Sequence, residues 1–74
     1  MTSSQVMAEM VASVLSIPVE PGEQVEPGTT LVLLESMKME IPVLCERAGT
    51  VADVRVQPGD VVQEGDVLVV LDDA

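Results

Sequence analysis

Apolar and polar positions follow the same course twice along the chain. Residues 11–35 begin with partial alternation, pass a Pro-Gly-acidic turn, a short apolar stretch and a second glycine turn, and end in a nearly continuous aliphatic run; residues 48–72 repeat that order. Alternation and short aliphatic runs bounded by turn residues are typical of β-strands. Neither copy contains a 3.6-residue apolar stripe long enough for a helix, and five prolines interrupt the chain further. The pattern predicts an all-β domain, residues 1–74, built from two packed sheets.

The two copies are related by an offset of 37 positions, which makes the chain a duplicated half-domain. If a two-fold axis relates the copies, position 38 corresponds to the chain ends. We therefore expect the turn at residues 36–39 to lie at one tip of the molecule and both termini to lie near the other. Nine of the 25 aligned positions are identical: Val14/Val51, Val19/Val56, Pro21/Pro58, Gly22/Gly59, Val25/Val62, Gly28/Gly65, Leu31/Leu68, Val32/Val69 and Leu34/Leu71.

The amino-acid composition makes several classes of function unlikely. The 74 residues contain no Phe, Tyr or Trp, so many small branched side chains must form the core. Thirteen acidic residues against three basic ones (Lys38, Arg47 and Arg55) give a net charge of −10, which disfavours binding to nucleic acid or to a membrane surface. No cationic leader precedes the repeats, and the aliphatic runs are too short to cross a bilayer. We expect a cytoplasmic protein.

The single cysteine, Cys45, has no partner for an internal disulfide. The chain contains no histidine, so the thiol also lacks the usual base for nucleophilic catalysis and a common metal-binding neighbour. We expect Cys45 to be a reduced, buried core residue, and we expect neither a catalytic residue nor a metal site.

The only lysine of the chain, Lys38, stands between two methionines in the stretch LLESMKMEIPV, residues 33–43. A charged residue is ordinary at an exposed hairpin tip, and the rarity of lysine could reflect codon usage alone. Hairpin tips usually carry Asn-Gly or Asp-Gly, however. A tight primed turn through Met37 and Lys38 requires left-handed φ angles, which cost non-glycine residues about 1–2 kcal/mol each. The flanking Met37 and Met39 therefore favour a surface that another protein reads.

The motif ESMKME, with PGEQVEPGTTL before it and PGDVVQEGDVL after it, resembles the biotinyl domain of biotin-dependent carboxylases. Small free-standing biotin attachment proteins are similar over essentially the whole chain. The resemblance implies a flattened β-barrel or sandwich, a barrel-sandwich hybrid of two antiparallel, roughly four-stranded sheets with internal pseudo-two-fold symmetry. Lipoyl domains are related, but they carry an acidic residue before the lysine and a small one after it. The family often has glycine at the position of Ala12, whereas the second copy retains Gly49.

The resemblance also implies a function. A biotin protein ligase would attach biotin covalently to Lys38, and biotin carboxylase and carboxyltransferase subunits would then use the arm to pass carboxybiotin between them. The domain would be a monomeric carrier and not an enzyme. Met37 and Met39 would contact these partners, and Glu35 and Glu40 border the site, either as recognition residues or as solvated charges. A lipoyl-type carrier and an unmodified interaction module of the same fold are the alternatives.

Overall fold

Eight β-strands make up residues 3–73, the part of the chain that the computed structural model describes. Within that range no helix is long and apolar enough to cross a membrane. The strands are β1 (Ser3–Met7), β2 (Ala12–Ser16), β3 (Gln24–Val25), β4 (Thr30–Ser36), β5 (Met39–Leu44), β6 (Gly49–Val54), β7 (Val61–Val62) and β8 (Val67–Asp73). They form two four-stranded antiparallel sheets, in the orders β1-β8-β6-β3 and β5-β4-β2-β7. The predicted all-β fold of two sheets is confirmed.

The two sheets correspond strand for strand at the offset of the sequence repeat. Strands β5, β4, β2 and β7 of one sheet match β1, β8, β6 and β3 of the other. The two-residue strands are exchanged between the copies, because β3 pairs with β6 and β7 pairs with β2. Each repeat copy therefore depends on the other for the short strand of its sheet.

Four turns of similar geometry connect the repeated strands. In the first, the N–H of Glu23 donates to the carbonyl of Glu20 over 3.1 Å, Pro21 occupies the second position, and Gly22 has a φ of 91° in the third. Proline followed by a residue with positive φ is the signature of a type II turn. The Glu23 side chain also accepts a hydrogen bond from the Glu20 N–H. The same pattern of bonds recurs in the turns that contain Gly28, Gly59 and Gly65. This explains why a glycine and a side-chain acceptor follow one another in each of these four turns.

The core lies between the sheets and consists of small and branched aliphatic side chains. Its largest members come from equivalent positions of β4 and β8, and each fully buried leucine contributes about 1.5–3 kcal/mol relative to an exposed one. Cys45 is 2% exposed and free, and its thiol donates to the carbonyl oxygen of Arg47, so its predicted burial is confirmed. The buried residues of these two strands are Leu31, Val32 and Leu34 of β4 and Leu68, Val69 and Leu71 of β8, all 3% exposed or less.

The molecule is 36 Å long, and the ends of β5 show which parts of the chain lie toward each of its two ends. The N–H of Gly28 donates to the carbonyl of Cys45 over 2.8 Å, just beyond the last residue of β5. Val25 pairs with Gly49, and Gly49 pairs with Asp73 at the end of β8. One end of β5 therefore lies near Asp73 at the end of β8, and the turn that contains Lys38 lies at the other end of β5. The termini themselves, residues 1, 2 and 74, lie outside the described residues.

Candidate functional site

The turn between β4 and β5 consists of two residues, Met37 and Lys38. Ser36 and Met39 are paired at its base. The φ angles of Met37 and Lys38 are 53° and 65°, and these are the only non-glycine residues with positive φ between residues 3 and 73. Positive φ at both central residues defines a type I′ turn, whose twist matches that of the flanking strands. The left-handed conformation predicted for this pair is confirmed.

The hairpin that carries the turn is anchored in the core. Leu34, 2% exposed, pairs with the half-buried Ile41, and Leu33 pairs with Pro42. A proline is tolerated here because β5 is the outermost strand of its sheet. Packing of β4 thus holds the two strands in register, and the turn must close in two residues whatever their identity. This explains how a conformation unfavourable for methionine and lysine persists.

The side chains of the turn project into solvent. Lys38 is exposed, and the exposed fractions of Met37 and Met39 are 89% and 61%. Within residues 3–73 the ammonium group of Lys38 takes part in no ion pair. A long, unpaired amine therefore stands at the apex, between two polarizable apolar side chains.

Glu35 and Glu40 lie directly opposite one another, one residue pair below the base of the turn. Both are exposed. Like charges at opposed positions of an antiparallel pair are mildly destabilising. The hairpin thus brings together all five residues that the sequence singled out. The sequence pattern did not single out Ser36, which completes the base of the turn.

This arrangement suits covalent attachment. The exposed primary amine of Lys38 can form an amide with a carboxylic acid, and its position at the apex leaves the attached group free to move. The described residues contain no group of three or more His, Cys, Asp or Glu side chains able to hold a metal ion. No base lies in the turn itself, so an acyl donor activated elsewhere fits the site best.

Comparison with protein families identifies the class to which this hairpin belongs. The model of the biotin/lipoyl family, described as "biotin-requiring enzyme", matches residues 1–71. The chain therefore belongs to the biotin/lipoyl attachment family and is a carrier domain of that family. The chain is also similar to the biotinylated protein TB7.3 homolog of Mycolicibacterium smegmatis, with 64% identity over 42 residues. That match covers 57% of this chain and 59% of the relative, so the chain spans little more than half of that relative's length.

Two solved structures show how widely the fold is shared. A single-chain, multi-domain long-chain acyl-CoA carboxylase matches 97% of this chain with 7% of its own, at a TM-score of 0.92 and 30% identity. The lipoyl domain of the 2-oxoglutarate dehydrogenase complex of Azotobacter vinelandii matches 85% of this chain with 80% of its own, at a TM-score of 0.74 and 30% identity. Because carboxylase and lipoyl domains share this architecture, the choice between biotin and lipoate depends on the lysine hairpin.

Proposed function

We propose that this chain is a biotin carboxyl carrier domain whose attachment residue is Lys38. The observation that carries the proposal is the strained two-residue turn that presents Lys38 between the exposed Met37 and Met39. An ordinary hairpin would use Asn-Gly here and avoid the strain. Retention of methionine and lysine in left-handed conformations is understandable if the side chains themselves are needed.

The methionines favour biotin over lipoate. Lipoyl domains resemble this chain in fold but carry an acidic residue before the lysine and a small one after it, whereas both neighbours of Lys38 are methionine. The relatives named biotinylated protein support the same choice. A lipoyl-type carrier remains the second candidate, because the fold also occurs in a lipoyl domain.

Attachment requires little from the carrier itself. A biotin protein ligase supplies biotinyl-adenylate, and the neutral amine of Lys38 attacks the carbonyl carbon of this mixed anhydride. An amide bond forms, AMP leaves and the amine loses its proton. Because the turn holds no base, the ligase must supply the deprotonation. Met37 and Met39 provide the adaptable apolar contacts by which the ligase and later partners recognise the turn.

The attached biotin accepts a carboxyl group and releases it again. The domain presents this group first to a biotin carboxylase and then to a carboxyltransferase, and the tether raises the local concentration at both sites. Among the similar solved structures are two carboxylases, the long-chain acyl-CoA enzyme and the urea carboxylase of Kluyveromyces lactis, and they support such partners. The carrier itself performs neither reaction in this proposal.

The carrier role is tested with the biotinylated domain, a biotin carboxylase, ATP and radiolabelled bicarbonate. We expect label to become bound to the wild-type domain and to pass to the acceptor when a carboxyltransferase is added. Met37→Ala and Met39→Ala should fold normally but accept label more slowly, since both side chains are exposed. Val61→Ala, an equally conservative change at an exposed valine of β7, is the matched control and should behave as wild type. A biotinylated domain that never acquires label would refute the carrier role without affecting the attachment at Lys38.

A further inference from the structure

The sandwich is open along one side, where the two outermost strands β1 and β5 face each other without pairing. Each is the last strand of its sheet. Between them runs a groove of about 1210 Å³, here called the seam groove. It lies across the pseudo-two-fold axis, because its lining includes equivalent pairs: Val6 and Val43 on the walls, Met7 and Leu44 on the rim, and Leu34 and Leu71 on the floor.

The seam groove is apolar and incompletely covered. Met7 and Leu44 are each 49% exposed, although both are large hydrophobic residues. Val6 and Val43 point toward the core but are only half-buried. On the opposite side of the sandwich the exchanged strands β3 and β7 bury Val25 and Val62 to 3% and 2% exposure. The partial burial is therefore a property of the open seam and not of the fold as a whole.

The walls of the seam groove are unpaired strand edges. Edge strands present free N–H and C=O groups, which an added strand can satisfy. Pro42 lacks an N–H and so reduces the hydrogen-bonding capacity of β5. The equivalent position of β1 is Gln5, and no proline interrupts that strand. β1 is therefore the edge on which an extended segment can form the more complete ladder.

Charge defines the kind of segment that fits. Glu9 follows β1 and Glu46 follows β5, and since the two strands run in opposite directions these carboxylates lie at opposite ends of the seam groove. Glu64 also lines the groove. All three are exposed, and within residues 3–73 none of them takes part in an ion pair. Among the described residues, Arg47, which pairs with Asp73 at 3.9 Å, is the only basic one that lines the groove.

We propose that the seam groove binds an extended segment of another polypeptide, with apolar side chains at alternate positions and lysine or arginine at both ends. The five residues of β1 and six of β5 set the length of its apolar part at five or six residues, about 17–20 Å. The segment adds a strand to β1, places its apolar face against the half-buried Val6 and Val43, and brings its basic ends to Glu9 and Glu46. A second copy of this chain is a poor occupant, because each copy carries a net charge of −10. This surface is separate from the Lys38 turn and does not depend on its modification.

The test uses a ten-residue synthetic peptide in which valine and threonine alternate over six residues between two lysines at each end. A matched peptide carries glutamates in place of the lysines. Each is titrated into ¹⁵N-labelled protein at low ionic strength. We expect saturable shifts of the amide signals of β1 and β5 with the lysine peptide, weakening as salt is added, and none with the glutamate peptide.

Variants locate the contact. Met7→Lys and Leu44→Lys should raise the Kd of the lysine peptide at least about tenfold. Val61→Lys changes a valine that is 68% exposed on the far edge strand, and it should alter the Kd less than about twofold. The dispersed spectrum of each variant shows that it folds, and the salt dependence of the wild type tests the proposal independently of them. The proposal is overturned if no saturable shifts occur in β1 and β5, if the two peptides bind equally, or if the same amides shift on dilution because two copies associate.

Discussion

The strain in the lysine turn predicts that glycine substitutions of Met37 and Met39, on either side of Lys38, have opposite effects on the free energy of unfolding. Met37 has a φ of 53° and is 89% exposed, so Met37→Gly removes a left-handed methionine and almost no buried surface. Relief of the left-handed conformation stabilises the folded domain by about 1–2 kcal/mol. The greater conformational freedom of glycine in the unfolded chain offsets about 0.5–1 kcal/mol of this gain. The net result is a gain of about 0.5–1 kcal/mol in the free energy of unfolding.

Met39→Gly is the matched control. Met39 is also exposed, at 61%, but it is the first residue of β5 and does not have a positive φ. Glycine in a strand costs about 0.5–1 kcal/mol, and some packing of the methionine is lost as well. The two variants should therefore differ by about 1–2 kcal/mol, which corresponds to about 4–16 °C in Tm for a domain of this size.

Urea and thermal unfolding followed by circular dichroism measure this difference directly. We predict the order Met37→Gly, wild type, Met39→Gly from highest to lowest Tm, with m-values unchanged. Equal destabilisation by the two glycines would show that the turn is not strained. In that case stability alone would not disfavour methionine at position 37.

Two further predictions concern the interior of the fold. A Cβ on Gly49 would lie 2.5 Å from the backbone carbonyl oxygen of Asp72, so Gly49→Ala should lower the free energy of unfolding by about 1–3 kcal/mol. Ala12→Gly, at the equivalent position of the other copy, should lower it by about 0.5–1 kcal/mol. Equal losses of stability in urea unfolding would contradict the close approach at Gly49. The thiol of Cys45, 2% exposed, should react with a thiol reagent far more slowly in native protein than in urea, and rapid labelling of the native form would show that the end of β5 opens.

Much of this fold could be predicted from local signals. The repeat, the glycine turns and the aliphatic runs of β4 and β8 are all visible in the sequence, because period-two patterns and Pro-Gly pairs act over a few residues. The left-handed turn at Met37 and Lys38 followed from the shortness of the hairpin. The departure from glycine at Ala12 causes no loss of structure, since Ala12 is buried within β2 and pairs with Val62.

The long-range pairing of the strands could not be predicted from local sequence patterns. Residues 3–7, SSQVM, contain few apolar side chains, yet they form β1 because β8 offers an edge with which they can pair. The two-residue strands β3 and β7 cross to the other copy's sheet, and no local pattern encodes this exchange. The seam groove follows from the same long-range order, since only the sheet topology shows that β1 and β5 are edges. The offset that matches Met7 with Leu44 was the one sequence signal for it.

Attachment at Lys38 is the central claim, and intact-protein mass spectrometry tests it most directly. The wild-type chain and Lys38→Arg are each incubated with a biotin protein ligase, ATP and biotin, and in parallel with a lipoate ligase and lipoate. Because Lys38 is exposed, the variant should unfold within about 0.5 kcal/mol of the wild type and serve as a folded control. We predict that the wild type gains the mass of one biotinyl group and no lipoyl group, and that Lys38→Arg gains neither. A wild-type mass that stays unchanged with biotin, or a biotinyl group on Lys38→Arg, would contradict the account.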